Sequence, residues 1–339
     1  MNILFMIGNG FDKNLGLNTS YIDFYEYYVK LPSSNEVVEV FKDDLKKNNY
    51  VDWSDLELAL GEYSSNFKNE EDYILLINDI IMNLKEYLEL VQDSYDCSIS
   101  LDQIKEEFLN FYKYLSNSNQ EKYKSFVKKE ENINVNIITF NYTNTLERIL
   151  NRKTPIQLSS QNIKGKVYYS HIQKIIHIHG TLTDSMILGV NDYTQIHNEN
   201  LRTTKVQDFI VKPYMNMNAE TLREYECEKL ISDANIIVIY GMSIGETDKY
   251  WWEKLMSLYS QDPSTLILLI NYDKDYNEVF KQHFVQKKRD MKNRLLKYVI
   301  NNESQLNDNE LKTVIEHRIL VEFNTNMFRF DLIKKKEAA

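Results

Sequence analysis

The sequence predicts an α/β protein: a mostly parallel, doubly wound sheet with a large helical insertion after the first strand. Three observations predict it. Short apolar runs recur along the chain and stop at glycine, asparagine or a polar turn, as strands buried on both faces do. Helix-like segments fall between several of these runs, which is the pattern of parallel strands joined by crossovers. Between the first two runs lies a long stretch with helical spacing and no strand-like alternation.

In chain order, the apolar run NILFMI at residues 2–7 ends at Gly8 and reads as the first strand. Residues 21–130 carry helical stripes such as Ile74, Ile77, Ile81, Leu84 and Leu88, and form the insertion. Strand character returns at residues 135–140, 175–178, 186–190, 235–240 and 265–270, with an edge-like run at 318–323. Residues 201–233 and 250–259 read as helices. The expected organisation is one core from residues 1–20 and 131–330, a helical insertion at 21–130, and a frayed, flexible tail at 331–339.

The 339 residues are 43% hydrophobic and 27% charged, an ordinary globular balance. A net charge of −10 repels polyanions and gives no support to a nucleic-acid partner. The basic stretch Lys287-Lys288-Arg289-Asp290-Met291-Lys292-Asn293-Arg294 reads as a solvated helix face. Cys97 and Cys227 lack the CxxC spacing of a thiolate zinc ribbon and do not suggest a disulfide framework, which fits a reducing cytosol. The N-terminus lacks a signal pattern and the longest apolar runs are far short of a span, so the expectation is a soluble, cytoplasmic protein with no membrane partner.

In a doubly wound sheet the ligand crevice lies at the carboxyl ends of the strands, so the residues there carry the functional argument. The first strand delivers Gly8-Asn9-Gly10-Phe11-Asp12, whose glycines and helix-start amides have the makings of a phosphate cradle. Lys13 stands where the GxGxxG fingerprint needs glycine, so a plain tight βα turn is an equal reading. Asp12 can cap the helix, bond a ribose hydroxyl or act on a substrate, with capping slightly favoured. Capping is also favoured for Asn18-Thr19-Ser20-Tyr21, and Trp53-Ser54-Asp55-Leu56-Glu57 reads as a capped helix start that packs Trp53 inward.

The strand at 136–140, which contains Thr139, delivers Asn141, a donor and acceptor suited to ribose hydroxyls or to aligning a water. Alternation puts His177 and His179 on one face. A metal pair would want a third ligand at useful spacing, for which His197 is merely possible, so no metal is expected. His177 suits a satisfied core histidine, whereas His179, beside Gly180 at the strand end, is placed to accept a proton. Finally, residues 236–240 lead into Gly241-Met242-Ser243, able to bond ribose or phosphate, with Asp248 at a helix start.

Taken in order, these strand ends resemble the sirtuin-like superfamily, and in detail the AbiH family of bacterial abortive-infection proteins that defend against phage. The resemblance rests on IGNGFD with LGLNTSY, WSDLE, FNYTNTLE, HIHG with ILGVND, and YGMSIGETD, from residue 3 to about residue 252. It departs from the sirtuin pattern at Asn9 and Asp12, where that pattern has small residues. The resemblance implies a Rossmann-like core that binds NAD against an inserted helical module. With no cysteines for a zinc ribbon, it points to the zinc-free branch that hydrolyses NAD to nicotinamide and ADP-ribose. Its functional asparagine and histidine fall on Asn141 and His179 as catalytic residues. Gly8, Asn9, Gly10, Phe11, Asp12, Thr139, Gly241, Ser243 and Asp248 fall in the nucleotide site. The expectation is an anti-phage effector that consumes NAD or a related nucleotide without a metal, self-associates as a homo-oligomer, and answers to a phage-derived trigger. The alternatives are a nucleotide-binding sensor that does not hydrolyse, or an enzyme that transfers ADP-ribose to a macromolecule.

Overall fold

The computed structural model describes residues 1–47, 55–97, 99, 101–127, 131–218, 222–261, 264–276, 279–299, 316–330 and 332–335. In chain order the strands are β1 (Asn2–Ile7), β2 (Tyr95–Asp96), β3 (Ile133–Thr139), β4 (Ile156–Ile163), β5 (Lys166–His177), β6 (Ile236–Tyr240), β7 (Leu266–Asn271), β8 (Ile319–Phe323) and β9 (Ile333–Lys334). Seven of them form one sheet in the order β4-β5-β3-β1-β6-β7-β8. Every pairing in it is parallel except the β4–β5 hairpin at one edge. The parallel strands therefore run outward from β1 in both directions, and the winding reverses between β1 and β6. That is the point at which open parallel sheets hold ligands, outside the carboxyl ends of the strands.

β1 explains why the sheet is buried on both faces. Its side chains alternate, so Ile3, Phe5 and Ile7 enter one core while Leu4 and Met6 enter another. On the first face, Phe5 meets Phe108 edge-on at 5.0 Å, and helix Leu101–Asn110 covers the strands with Phe111 and Phe328. On the second, Trp252 and Leu255 of helix Lys249–Gln261 and Leu295 of helix Lys281–Leu296 close the layer. A third core joins helices Tyr21–Tyr28, Glu36–Lys47, Leu56–Tyr63 and Glu70–Asp93 to Leu188, Val190, Ile196 and Ile210. The stretch expected as one insertion thus has two roles: its first part builds a separate helical layer, and its last helices cover the sheet.

Other expectations change for definite reasons. Residues 186–190 form no sheet strand; apart from the bridge Val190↔Val211, they pack Met186, Leu188 and Val190 on the helical layer. The helix expected at 201–233 is three pieces, Thr204–Ile210, Lys212–Asn218 and Arg223–Ser232. Pro213, which has no N–H to continue the preceding helix, sits in the first turn of the second piece. The expected tail is partly ordered: β9 pairs antiparallel with β2, and the Lys335 N–H donates to the Ser94 carbonyl at 2.8 Å. Residues 336–339, like Trp53 and Ser54, lie outside the described residues. On helix Lys281–Leu296, Lys287 pairs with Asp273 and Lys288 with Glu322. Among the described residues, no helix is long and apolar enough to cross a membrane.

Candidate functional site

At the reversal point two backbone turns press together. The Gly8 N–H donates to the Tyr240 carbonyl at 3.0 Å and the Gly10 N–H to the Gly241 carbonyl at 2.9 Å. A Cβ on Gly10 would fall 2.8 Å from the Gly241 oxygen, and Gly241 itself has φ +64°, a region that favours glycine. These glycines permit backbone-to-backbone contact. The phosphate-cradle expectation is corrected accordingly: the amides of Gly8, Gly10 and Phe11 are given to protein carbonyls. The Phe11 ring is buried in the first core, and Asn9 ties down the following loop through its side-chain bonds with Thr19. Ser20 then caps helix Tyr21–Tyr28 through a capping box with Asp23.

Asp12 does not cap its short helix; it projects into the protein at 1% exposure. One carboxylate oxygen accepts from the Thr143 hydroxyl and the other has no hydrogen-bond partner. Burial pushes its carboxyl up to about 6, against the side chains of Thr143 and Thr145, His177 and the side chain of Asn141. Thr139 acts as a brace, its hydroxyl accepting the Asn141 N–H at 3.2 Å. Asn141 is buried with its side-chain oxygen unpartnered.

His177 and His179 take different roles. His177 Nδ1 lies 2.8 Å from the Asn141 carbonyl and Nε2 lies 2.7 Å from Glu147. Both partners only accept, so a protonated ring satisfies both. Burial opposes that charge, but Glu147 and the carbonyl outweigh it and raise the pKa above the ordinary histidine value. His179 is buried after β5, with the edge of its ring near Phe140. Its Nε2 lies 2.8 Å from Asp248 Oδ1, and its Nδ1 is buried without a partner. Burial and the nearby Lys212 charge hold its pKa below the ordinary value. A neutral ring whose Nε2–H donates to Asp248 leaves Nδ1 as a free acceptor.

Behind this pair sits a buried charge cluster that the sequence did not reveal. Lys212 Nζ is 3.1 Å from Asp248 Oδ1, 2.7 Å from Glu57 Oε2 and 3.2 Å from the Thr247 carbonyl. Glu57 Oε1 accepts from the Gly189 N–H and lies 3.4 Å from the Tyr142 hydroxyl, which donates to the Ile187 carbonyl at 2.9 Å. Burial pushes the Glu57 carboxyl up to about 7 despite Lys212. Asp248 is held well below the usual carboxylate range, because Lys212 and His179 outweigh its burial. Asp55 caps helix Leu56–Tyr63, as expected of WSDLE, but the Glu57 of that segment is buried in the charge cluster. Asp248, expected to bind nucleotide, is the partner of His179. Ser243 is exposed and does not join the cluster; its carbonyl accepts from Arg294. His197 is also exposed, and among the described residues no group of three His, Cys, Asp or Glu could hold a metal ion.

Residues 4–272 match the family described as Bacteriophage abortive infection AbiH. This chain belongs to the AbiH family. Membership implies a role in abortive infection by bacteriophage. No curated protein matches it. Every residue of both clusters lies inside the span matched to AbiH, whereas β8 and helix Lys281–Leu296 lie beyond it. In this AbiH chain a small cleft reaches the second cluster, lined by His179, Asn191, Lys212, Asn216, Thr247 and Asp248, with room for about one water.

Proposed function

We propose that the chain hydrolyses NAD to nicotinamide and ADP-ribose, without a metal, as the effector step of abortive infection. The carrying observation is a set of buried acceptors without donors at three strand ends: Asp12 Oδ1 after β1, Asn141 Oδ1 after β3 and His179 Nδ1 after β5. A buried acceptor left unpaired costs roughly 1–3 kcal/mol, so the site favours a ligand that brings hydroxyl donors, as a ribose does. The same set suits the reaction. Breaking the bond from nicotinamide to ribose C1′ passes through an oxocarbenium-like state, which nearby acceptors and the Asp12 carboxyl stabilise. The bonding pair leaves with the nicotinamide nitrogen, which becomes neutral. A water oxygen bonds to C1′ and its proton passes to His179 Nδ1, on a ring oriented by Asp248. General-base action of this kind contributes roughly 100- to 10,000-fold.

In His179→Ala and in Asn141→Ala, turnover should fall by about 100-fold or more while the variants stay folded, with nicotinamide followed by liquid chromatography. Full activity in both would overturn the assignment. One observation bears on a second reading: the cleft at His179 is far smaller than a dinucleotide, so any nucleotide binding needs the site to open. On that reading the chain is a nucleotide sensor, or an enzyme opened by a trigger or by self-association. Nucleotide binding with no consumption over hours would select the sensor.

A further inference from the structure

We propose that Lys212 is the positioning residue of this site, holding the Asp248 carboxylate on the His179 ring and tying both to the helical layer through Glu57. The inference deepens the reading above and rests on His179 being its proton acceptor. An ammonium has three donors, and Lys212, buried at 4% exposure, has an acceptor for each. Those acceptors come from two bodies. Glu57 belongs to helix Leu56–Tyr63 of the helical layer, and Thr247 and Asp248 to the turn Glu246–Asp248 after β6. Saturated in this way, Lys212 is no base and offers nothing to a substrate. It also shares Asp248 Oδ1 with His179, so a displacement of the helical layer passes through Glu57, Lys212 and Asp248 to the imidazole in series.

The groups around His179 set the expected sign. Asp248 favours the charged ring, and Lys212 and Arg223 oppose it. Glu224 lines the same cleft, Glu57, Asp55 and Tyr142 stand behind Lys212, and Phe140 presents its ring to the imidazole. Removing the ammonium takes away an opposing charge, so the His179 midpoint should rise by roughly 1 to 3 pH units. The acid limb of any activity that needs the neutral ring moves up with it.

The test is an NMR titration of protein labelled at its histidine nitrogens, with the His179 signal assigned by its loss in His179→Gln. Lys212→Gln is compared with wild type, and so is Lys212→Met/Glu57→Met, which removes the ion pair together and leaves no unpaired charge on the helical side. The expected result in the folded variants is a raised His179 midpoint together with a smaller fall than wild type shows when Asp248→Asn is added, because loss of charge alone would raise the midpoint and leave the Asp248 contribution intact. An unmoved midpoint accompanied only by lower thermal stability would make Lys212 a structural brace and overturn the proposal. The readout does not depend on substrate. A shifted midpoint in a protein that never releases nicotinamide leaves Lys212 in place and removes the NAD reading. An unmoved midpoint beside normal nicotinamide release removes Lys212 alone.

Discussion

His177 and His179 stand two residues apart at the end of one strand, yet the structure gives them opposite chemistry. His177 has both ring nitrogens engaged, by the Asn141 carbonyl and by Glu147, and its pKa is raised. His179 has one nitrogen engaged by Asp248 and one unpartnered, and its pKa is lowered. The first is a brace that shapes the Asn141 loop; the second is an acceptor kept neutral and waiting for a donor. What separates them is the unsatisfied buried nitrogen of His179. Exposure does not separate them, since both side chains are nearly buried.

The comparison breaks most decisively at His179 itself, where alanine should remove turnover with little loss of folding. Asp12 should give the next largest effect. Its folded pKa of about 6 stands above the ordinary aspartate value of 3.8, so the native state holds its proton more tightly than the unfolded chain does. The stability linked to that proton is fully present below about pH 4 and is lost as pH rises through 6. Asp12→Asn should therefore stabilise the protein by on the order of 3 kcal/mol at pH 8, with no gain near pH 4. Urea unfolding at the two pH values reads this directly. A parallel loss of turnover would mark a carboxylate retained for function at the expense of stability. A uniform gain or loss across pH would remove the argument for its buried charge.

The smallest effect should come from His177→Ala, at about 2 kcal/mol, because Glu147 is partly exposed and screened. Its sign runs with protonation: a histidine pKa raised on folding contributes stability fully below about pH 6.5, lost as pH climbs through the folded value. Thermal unfolding at pH 5.5 and pH 9 should show the destabilisation at the acid pH and little at the alkaline one. Equal destabilisation at both would mean that His177 acts by packing alone.

Legibility in the sequence followed locality. β1, β3, β6, β7 and β8 were readable because each presents a short apolar run to cores on both faces. Of the β4–β5 hairpin only the end of β5, at residues 175–177, was readable; polar residues, among them Gln161, Lys166, Gln173 and Lys174, hid the rest. Residues 186–190 misled because an apolar run has the same composition whether it packs on a sheet or on helices. As buried residues after strand ends, Asn141 and His179 could be found. Glu57 and Lys212 could not, since their ion pair spans 155 positions. The only local signals were a carboxylate one residue into a capped helix and a lysine between Val211 and Pro213. Asp248 was read as a helix start in the nucleotide site because its contact with His179 spans 69 residues.

On the function proposed above, His179, oriented by Asp248, accepts the proton in cleavage of NAD. The most direct test is incubation of purified wild type, His179→Ala and His177→Ala with NAD at high protein concentration, with nicotinamide and ADP-ribose followed by liquid chromatography. Wild type should release equal amounts of the two products, His179→Ala none above background, and folded His177→Ala a reduced but measurable amount, because its ring braces the Asn141 loop without accepting the proton. Undiminished release by His179→Ala, or no release by wild type in any state of assembly or activation, would contradict the account.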